Sequence, residues 1–309
     1  MFRIFFATDL HGSQVCFHKF LSAANMYKAE ALILGGDLTG KAIIPIYKTD
    51  DEHMTAKLLG KEYTANSRQE AESLNKLIKD LGYYGFETTR EKWTEISATK
   101  STMDELFLKC AAERMSEWTA IAKEKLRDAG PKVYATGGND DPPEIDKIIE
   151  SSEFLVGCHD KLVEIGGHEM ISTGYSNMTP WKLPRDISEE ELERLIEDLA
   201  ARVKDMKNAI FNFHCPPYAS KLDEAPKLTK DLKAKPEFIP VGSTAVRKAI
   251  EKYQPLLGLH GHIHESRGVI KIGETTCVNP GSEYGEGVLR GAVINLEPKK
   301  IKGYILTSG

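Results

Sequence analysis

Seven side chains stand out for the chemistry they could do together: Asp9, His11, Asp37, Asn139, His214, His262 and His264. They sit in five short motifs: Asp9-Leu10-His11, Gly35-Gly36-Asp37, Gly137-Gly138-Asn139-Asp140-Asp141, His214-Cys215-Pro216-Pro217 and Gly261-His262-Ile263-His264. Oxygen and imidazole donors without a thiolate suit borderline divalent metals such as Mn, Fe, Zn, Ni or Co. Seven donors are too many for one catalytic metal that must keep open positions, and they are enough for two. Ions about 3.5–4 Å apart can share a carboxylate and a hydroxide, and can clamp the attacking and leaving oxygens of a displacement. The glycines beside the donors permit tight turns and close approach of a phosphate. Each motif alone is weak, since Asp-x-His is common in loops and Gly-Gly-Asp is usually a turn. A lone His214 reads as a satisfied loop histidine. The specificity lies in the ordered set.

Every motif directly follows a short apolar run. Phe2–Ala7 precedes Asp9, Ala31–Leu34 precedes Gly35, 132–136 precedes Gly137, 209–213 precedes His214, and 255–259 leads to Gly261. These runs and 170–173 read as strands, several apolar at consecutive positions as expected when both faces are covered. Ligands of open α/β sheets bind at the carboxyl ends of parallel strands, so five such loops can converge. Helices are expected over 13–28 and about 189–206. The second carries Leu192, Leu195, Ile196, Leu199, Val203 and Met206 on one face, and Ser188 stands three residues before Glu191, a capping-box pattern. Further strands are expected over Gly268–Ile272, 275–278, 288–296 and 300–306. The reading is α/β, with two sheets sharing a core and helices flanking them.

The segment 41–130 differs, and no motif chemistry is apparent in it. Leu74, Leu77, Ile78 and Leu81 mark one amphipathic helix; Met103, Leu106, Phe107, Cys110, Trp118, Ile121 and Ala122 mark a longer one. It reads as a helical insertion packing on the sheet within a single domain, 1–309, with a homodimer surface as the alternative.

A chain of 309 residues can bury a sizeable core, and 41% hydrophobic with 28% charged residues is ordinary globular composition. The net charge of −5, with no long basic run, lends no support to nucleic-acid binding. Five scattered cysteines without a CxxC pair fit a reducing compartment. The opening residues are too short for a signal-peptide core, and no apolar run reaches transmembrane length. A cytoplasmic protein without membrane association is the expectation.

The ordered motifs resemble those of the calcineurin-like metallophosphoesterases, whose pattern is D-x-H, G-D, G-N-H/D, H and G-H-x-H. The match runs from Asp9 to His264 apart from 41–130, and Val278-Asn279-Pro280-Gly281-Ser282 is similar to a turn of the smaller, prokaryotic phosphodiesterase-like members. The resemblance implies a four-layer αββα sandwich of two mixed sheets. It implies that Asp9, His11 and His264 hold a first metal, that Asn139, His214 and His262 hold a second, and that Asp37 bridges them. A hydroxide between the metals would then attack a phosphodiester or phosphomonoester in line, the substrate being a small-molecule phosphoester. Manganese is among the metals expected.

One position departs from the pattern: Asp140 stands where many members have a histidine that contacts phosphate. The catalytic positions implied are thus Asn139, Asp140 and His214. An unperturbed Asp titrates near about 3.9 and His near about 6.5, so Asp140 is a poor proton donor at neutral pH unless its pKa is raised. A metal-bound water as donor, or a leaving group needing no proton, is the reading preferred. Asp141 reads either as orienting a ligand histidine or as an acidic turn residue. Tyr175, Asn177, Trp181 and Arg185 lie in a loop that either lines the substrate mouth, with Arg185 on phosphate, or is a proline-stiffened surface. His260 is expected to pack, Cys215 to be structural, and His18, His53, His159 and His168 show no ligand spacing. Specificity is expected in 175–187, 215–242 and 283–287. The rival function is a non-catalytic protein-binding scaffold, which retention of all seven donor positions disfavours.

Overall fold

The computed structural model describes residues 1–49, 53–126, 130–229 and 231–309. Two six-stranded mixed sheets form the centre. The first runs Lys300–Ser308, Arg290–Glu297, Phe2–Ala7, Ala31–Leu34, Lys132–Ala135, Leu155–Gly157, and its last four strands are mutually parallel. The second runs Gly268–Ile272, Thr275–Asn279, Leu257–Leu259, Ile210–Phe213, His168–Thr173, Lys161–Ile165, with the four middle strands parallel.

The continuous apolar runs are explained by burial on both faces. In Phe2–Ala7, Ile4 and Phe6 join Met170, Ile210, Leu257 and Val278 in the core between the sheets. Phe5 and Ala7 face the other way, against Phe17, Phe20 and Leu21 of helix Gln14–Tyr27 and Trp118 of helix Lys100–Leu126. Phe17 and Trp118 stack with centroids 4.1 Å apart. The second sheet repeats the arrangement: Ile171, Phe211 and Phe213 pack under helices Glu189–Ala200 and Thr244–Tyr253. Alternation at period two thus builds helix, sheet, sheet and helix layers, the αββα sandwich expected.

The capping box at Ser188 and Glu191 forms as read from the sequence. The helix stops at Ala200 rather than near 206 because the Glu169 carboxylate captures the Lys204 and Asp205 amides, at 2.8 and 3.1 Å, outside helical register. Segment 41–130 holds the two helices expected, within Arg68–Asp80 and Lys100–Leu126, and a further one at Arg90–Ser97. It is not purely helical. Strands Ile43–Lys48, Met54–Leu58, Lys61–Ala65 and Tyr84–Thr88 form a separate four-stranded sheet. Leu59 and Gly60 both take positive φ, 50° and 80°, which closes the hairpin of its two middle-numbered strands. A second unanticipated hairpin, Glu224–Leu228 with Ala234–Pro240, lies within 215–242.

Candidate metal centre

Parallel strands of both sheets end at the same edge, and all five motifs lie just beyond them. The loops are laced together by backbone bonds, Asp9 N–H to Gly36 O and His11 N–H to Asp37 O, each 2.9 Å. Four of the seven donors hold left-handed backbone: Asp9 (φ 55°), His11 (42°), Asp37 (50°) and His262 (66°). Such conformations cost free energy in non-glycine residues and cluster where a site dictates geometry. Gly138 is forced by proximity, since a Cβ there would lie 2.2 Å from both the amide nitrogen and Oδ1 of Asp37.

The donors form two groups whose ligand atoms lie within 4.8 Å of one another: Asp9, His11 and His264, and Asp37, His214 and His262. In the first, His264 Nε2 is 3.2 Å from Asp9 Oδ1 and 3.1 Å from His11 Nε2. Asp37 spans the groups. Its Oδ2 lies 3.5 Å from His11 Nε2 and its Oδ1 3.4 Å from His214 Nε2. A third group within the same limit is His11, Asp37 and Asp140. These Asp/His clusters could hold metal ions.

Hydrogen bonds turn the lone pairs inward. His214 Nδ1–H donates to Gly35 O at 3.0 Å, and its Nε2 is buried without a partner. Asn139 Nδ2 donates to Asp186 Oδ1 at 2.8 Å, leaving Asn139 Oδ1 likewise buried and unpartnered. Orphaned acceptors of this kind are costly unless something satisfies them, and a divalent cation does. The electrostatics agree. Burial alone would lower the His214 pKa, but the Asp37 and Asp9 carboxylates outweigh it and raise it to about 9. Burial would raise the Asp9 carboxyl, yet the His214 charge and the His264 hydrogen bond hold it well below the ordinary range. Asp9 and Asp37 are thus held as carboxylates, and burial, with the charge of His214, lowers His262 to about 4 and keeps it neutral, the forms in which these side chains bind a cation. Asp140 behaves differently: burial and the Asp37 carboxylate raise it to about 6, against the pull of Lys41.

Several second-rank expectations change. Among the described residues, Asp141 is bound by backbone amides and a hydroxyl rather than by a ligand histidine. It accepts from the amides of Leu38, Thr39 and Gly138 and from the Thr39 hydroxyl, at 2.7–3.1 Å, and so pins two donor loops together. Arg185 is buried, donating to Asp141 O, Pro142 O and Asp146 Oδ1, and does not line the mouth. Trp181, 57% exposed, does sit at the surface. His260 packs as expected, its Nδ1–H on Phe213 O. Three neighbours were not anticipated. Asp186 orients Asn139; Tyr284 lays its ring 4.7 Å from that of His11; and Lys41 places Nζ 2.5 Å from Asp140 Oδ2. Lys41 brings site chemistry to a segment that showed none in sequence. A cleft of about 430 Å³ opens beside the donors, lined by His264, Arg267, Ser282, Tyr284 and Arg290 among others.

No protein-family model matches the chain. An uncharacterized protein of Methanocaldococcus jannaschii is 35% identical over 151 residues, which is 48% of this chain and 63% of that protein's length. The chain therefore spans somewhat less than two thirds of that relative. A crystal structure overlaps it with a TM-score of 0.54 at 14% identity, covering 99% of this chain and 98% of the other. The crystal structure of TT1561 of Thermus thermophilus gives 0.53 at 16% identity, covering 99% and 97%. At these identities the likeness is one of fold. No helix among the described residues is long and apolar enough to cross a membrane.

Proposed function

We propose that this chain is a metal-dependent phosphoesterase of the calcineurin-like superfamily, hydrolysing a phosphodiester or phosphomonoester. The observation that carries the reading is Asp37, whose two carboxylate oxygens face histidines of two different donor groups. A single carboxylate so placed could serve a pair of cations: Asp9, His11 and His264 would hold one ion, Asn139, His214 and His262 the other, and Asp37 would contribute to both. When bound, two divalent ions supply an activated water at neutral pH and positive charge for the phosphoryl oxygens.

The remaining work falls to the chain itself. Asp186 and Gly35 fix the Asn139 amide and the His214 ring, so the donor atoms need not reorganise. The glycines of the donor loops let those loops close on one another, since a Cβ on Gly36, Gly138 or Gly261 would meet His214, Asp37 or Asp9, and the neighbouring cleft takes the organic part of the ester. Asp140, at the rim, pairs its carboxylate with the Lys41 ammonium beside the donor cluster. The test is hydrolysis of bis-p-nitrophenyl phosphate and p-nitrophenyl phosphate by chelator-stripped protein, with Mn, Ni or Zn added back. Metal-dependent turnover lost in His214→Ala supports the proposal, and the ratio of the two rates separates diesterase from monoesterase. Neither bound metal nor turnover leaves the protein-binding scaffold.

A further inference from the structure

We propose that Lys41 is a substrate-binding residue whose ammonium contacts a phosphoryl oxygen of the ester, in partnership with Asp140. The inference rests on the phosphoesterase reading and deepens it. Lys41 lies four residues beyond Asp37, and the backbone leading to it is fixed. The Gly40 amide donates to the Tyr84 hydroxyl at 2.7 Å, and a Cβ on Gly40 would approach Gly82 O to 2.4 Å. Tyr84 belongs to the small sheet of segment 41–130, so that sheet determines where the lysine emerges.

From there Nζ reaches Asp140 Oδ2 at 2.5 Å. Asp140 is itself bound into the donor cluster: its amide donates to Asp37 Oδ1 at 3.0 Å, and its Oδ2 lies 3.8 Å from His11 Nδ1. The ammonium is thus one carboxylate away from Asp37, which spans both groups. Asp140 is its one hydrogen-bond acceptor among the described residues, which leaves two of its three N–H groups available. The side chain is 38% exposed, so those groups can reach a ligand arriving from solvent.

Charge gives the lysine its purpose. Three carboxylates, Asp9, Asp37 and Asp140, crowd the site, and an anionic ester must enter among them. Asp140 alone would repel it. Lys41 cancels that charge and offers donors to the oxygens in its place. The nearby buried guanidiniums do not do this: Arg185 is turned to Asp141 O and Pro142 O, and Arg114 to Gly12 O and Tyr83 O.

The test is calorimetric titration of inorganic phosphate into Mn-loaded wild-type protein, Lys41→Met and Lys41→Arg, with metal content measured on each and kcat and KM for bis-p-nitrophenyl phosphate alongside. We expect Lys41→Met to bind phosphate about 10-fold or more weakly, the usual weight of a charge-assisted hydrogen bond. Metal content should be unchanged, KM should rise more than kcat falls, and Lys41→Arg should recover most of the affinity. Phosphate affinity in Lys41→Met within about twofold of wild type overturns the inference, as does loss of bound metal, because the lysine would then be holding the centre together. Either result with an active wild type leaves the phosphoesterase reading standing. A wild type that binds no metal and hydrolyses neither ester removes both.

Discussion

Asn139 meets two demands at once: its amide nitrogen is held by Asp186 at 2.8 Å, and its oxygen is buried with no protein partner. Asp186 can hold it firmly because its other oxygen accepts from the Thr179 and Leu183 amides and the Thr179 hydroxyl, at 2.5–3.0 Å. Removing that carboxylate frees the amide to flip and present nitrogen to a cation. We therefore expect Asp186→Ala to lose about one of two bound ions, read by elemental analysis, and about 1–3 kcal/mol of stability from the unpaired groups. Full metal occupancy in the variant would remove the orienting role. Gly138→Ala attacks the same centre sterically. Its Cβ would sit 2.2 Å from the Asp37 amide and Oδ1, with no flexible tip to yield, so both metal content and thermal stability should fall. At this scale the sequence was legible for the donors, because each lies in a short motif after an apolar run. Their partners were not. Asp186 reaches Asn139 across 47 positions and Lys41 reaches Asp140 across 99, and no local spacing encodes such pairs.

Among elements, helix Lys100–Leu126 shows what tertiary packing adds to a weak local pattern. It buries Met115, Trp118 and Ala122 against the first sheet and its helix, with Trp118 stacked on Phe17 and its indole N–H on Gln14 Oε1 at 2.8 Å. Trp118→Ala opens a large cavity and strands the Gln14 acceptor. The expected cost is about 3–5 kcal/mol, seen as a lower Tm with metal content kept at moderate temperature. A cost below about 1 kcal/mol would mean that the helix is not anchored there. The central strands and the helices on them were readable, since burial on both faces leaves continuous apolar runs. The small sheet of segment 41–130 was not. Its strand Lys61–Ala65 has only Ala65 fully buried, and Met54–Leu58 carries one small residue, Ala56, between its buried ends. Half-exposed strands of mixed composition look like loops until a neighbour pairs with them. The same sheet sets the position of Lys41, so the region hardest to read is also one that shapes the site.

At the scale of the molecule, the centre depends on two sheets ending at one edge, and His159 lies where the chain passes between them. Leu155–Gly157 belongs to the first sheet and Lys161–Ile165 to the second. Between them, His159 Nδ1 accepts from the Gly174 amide at 3.1 Å, and its ring packs 5.1 Å from Tyr175. An acceptor at Nδ1 requires the neutral ring with its proton on Nε2. Burial first, and then the charges of Arg185 and Lys161, lower its pKa from 6.5 to about 3. Asp160 Oδ2 lies 3.5 Å from His159 Nε2, and burial raises the Asp160 carboxyl in turn. The sign of the linkage follows. Below pH 6.5 the unfolded chain takes up a proton that folded His159 refuses, so its contribution is complete above that value and is lost progressively as pH falls toward 3. His159→Asn keeps an oxygen acceptor for the Gly174 amide and removes the titration. Denaturant unfolding of wild type and variant across this range should show wild type losing stability relative to the variant by up to about 1.4 kcal/mol per pH unit. A difference independent of pH would mean that His159 is protonated in the folded protein, and that the junction between the sheets tolerates a charge this geometry excludes.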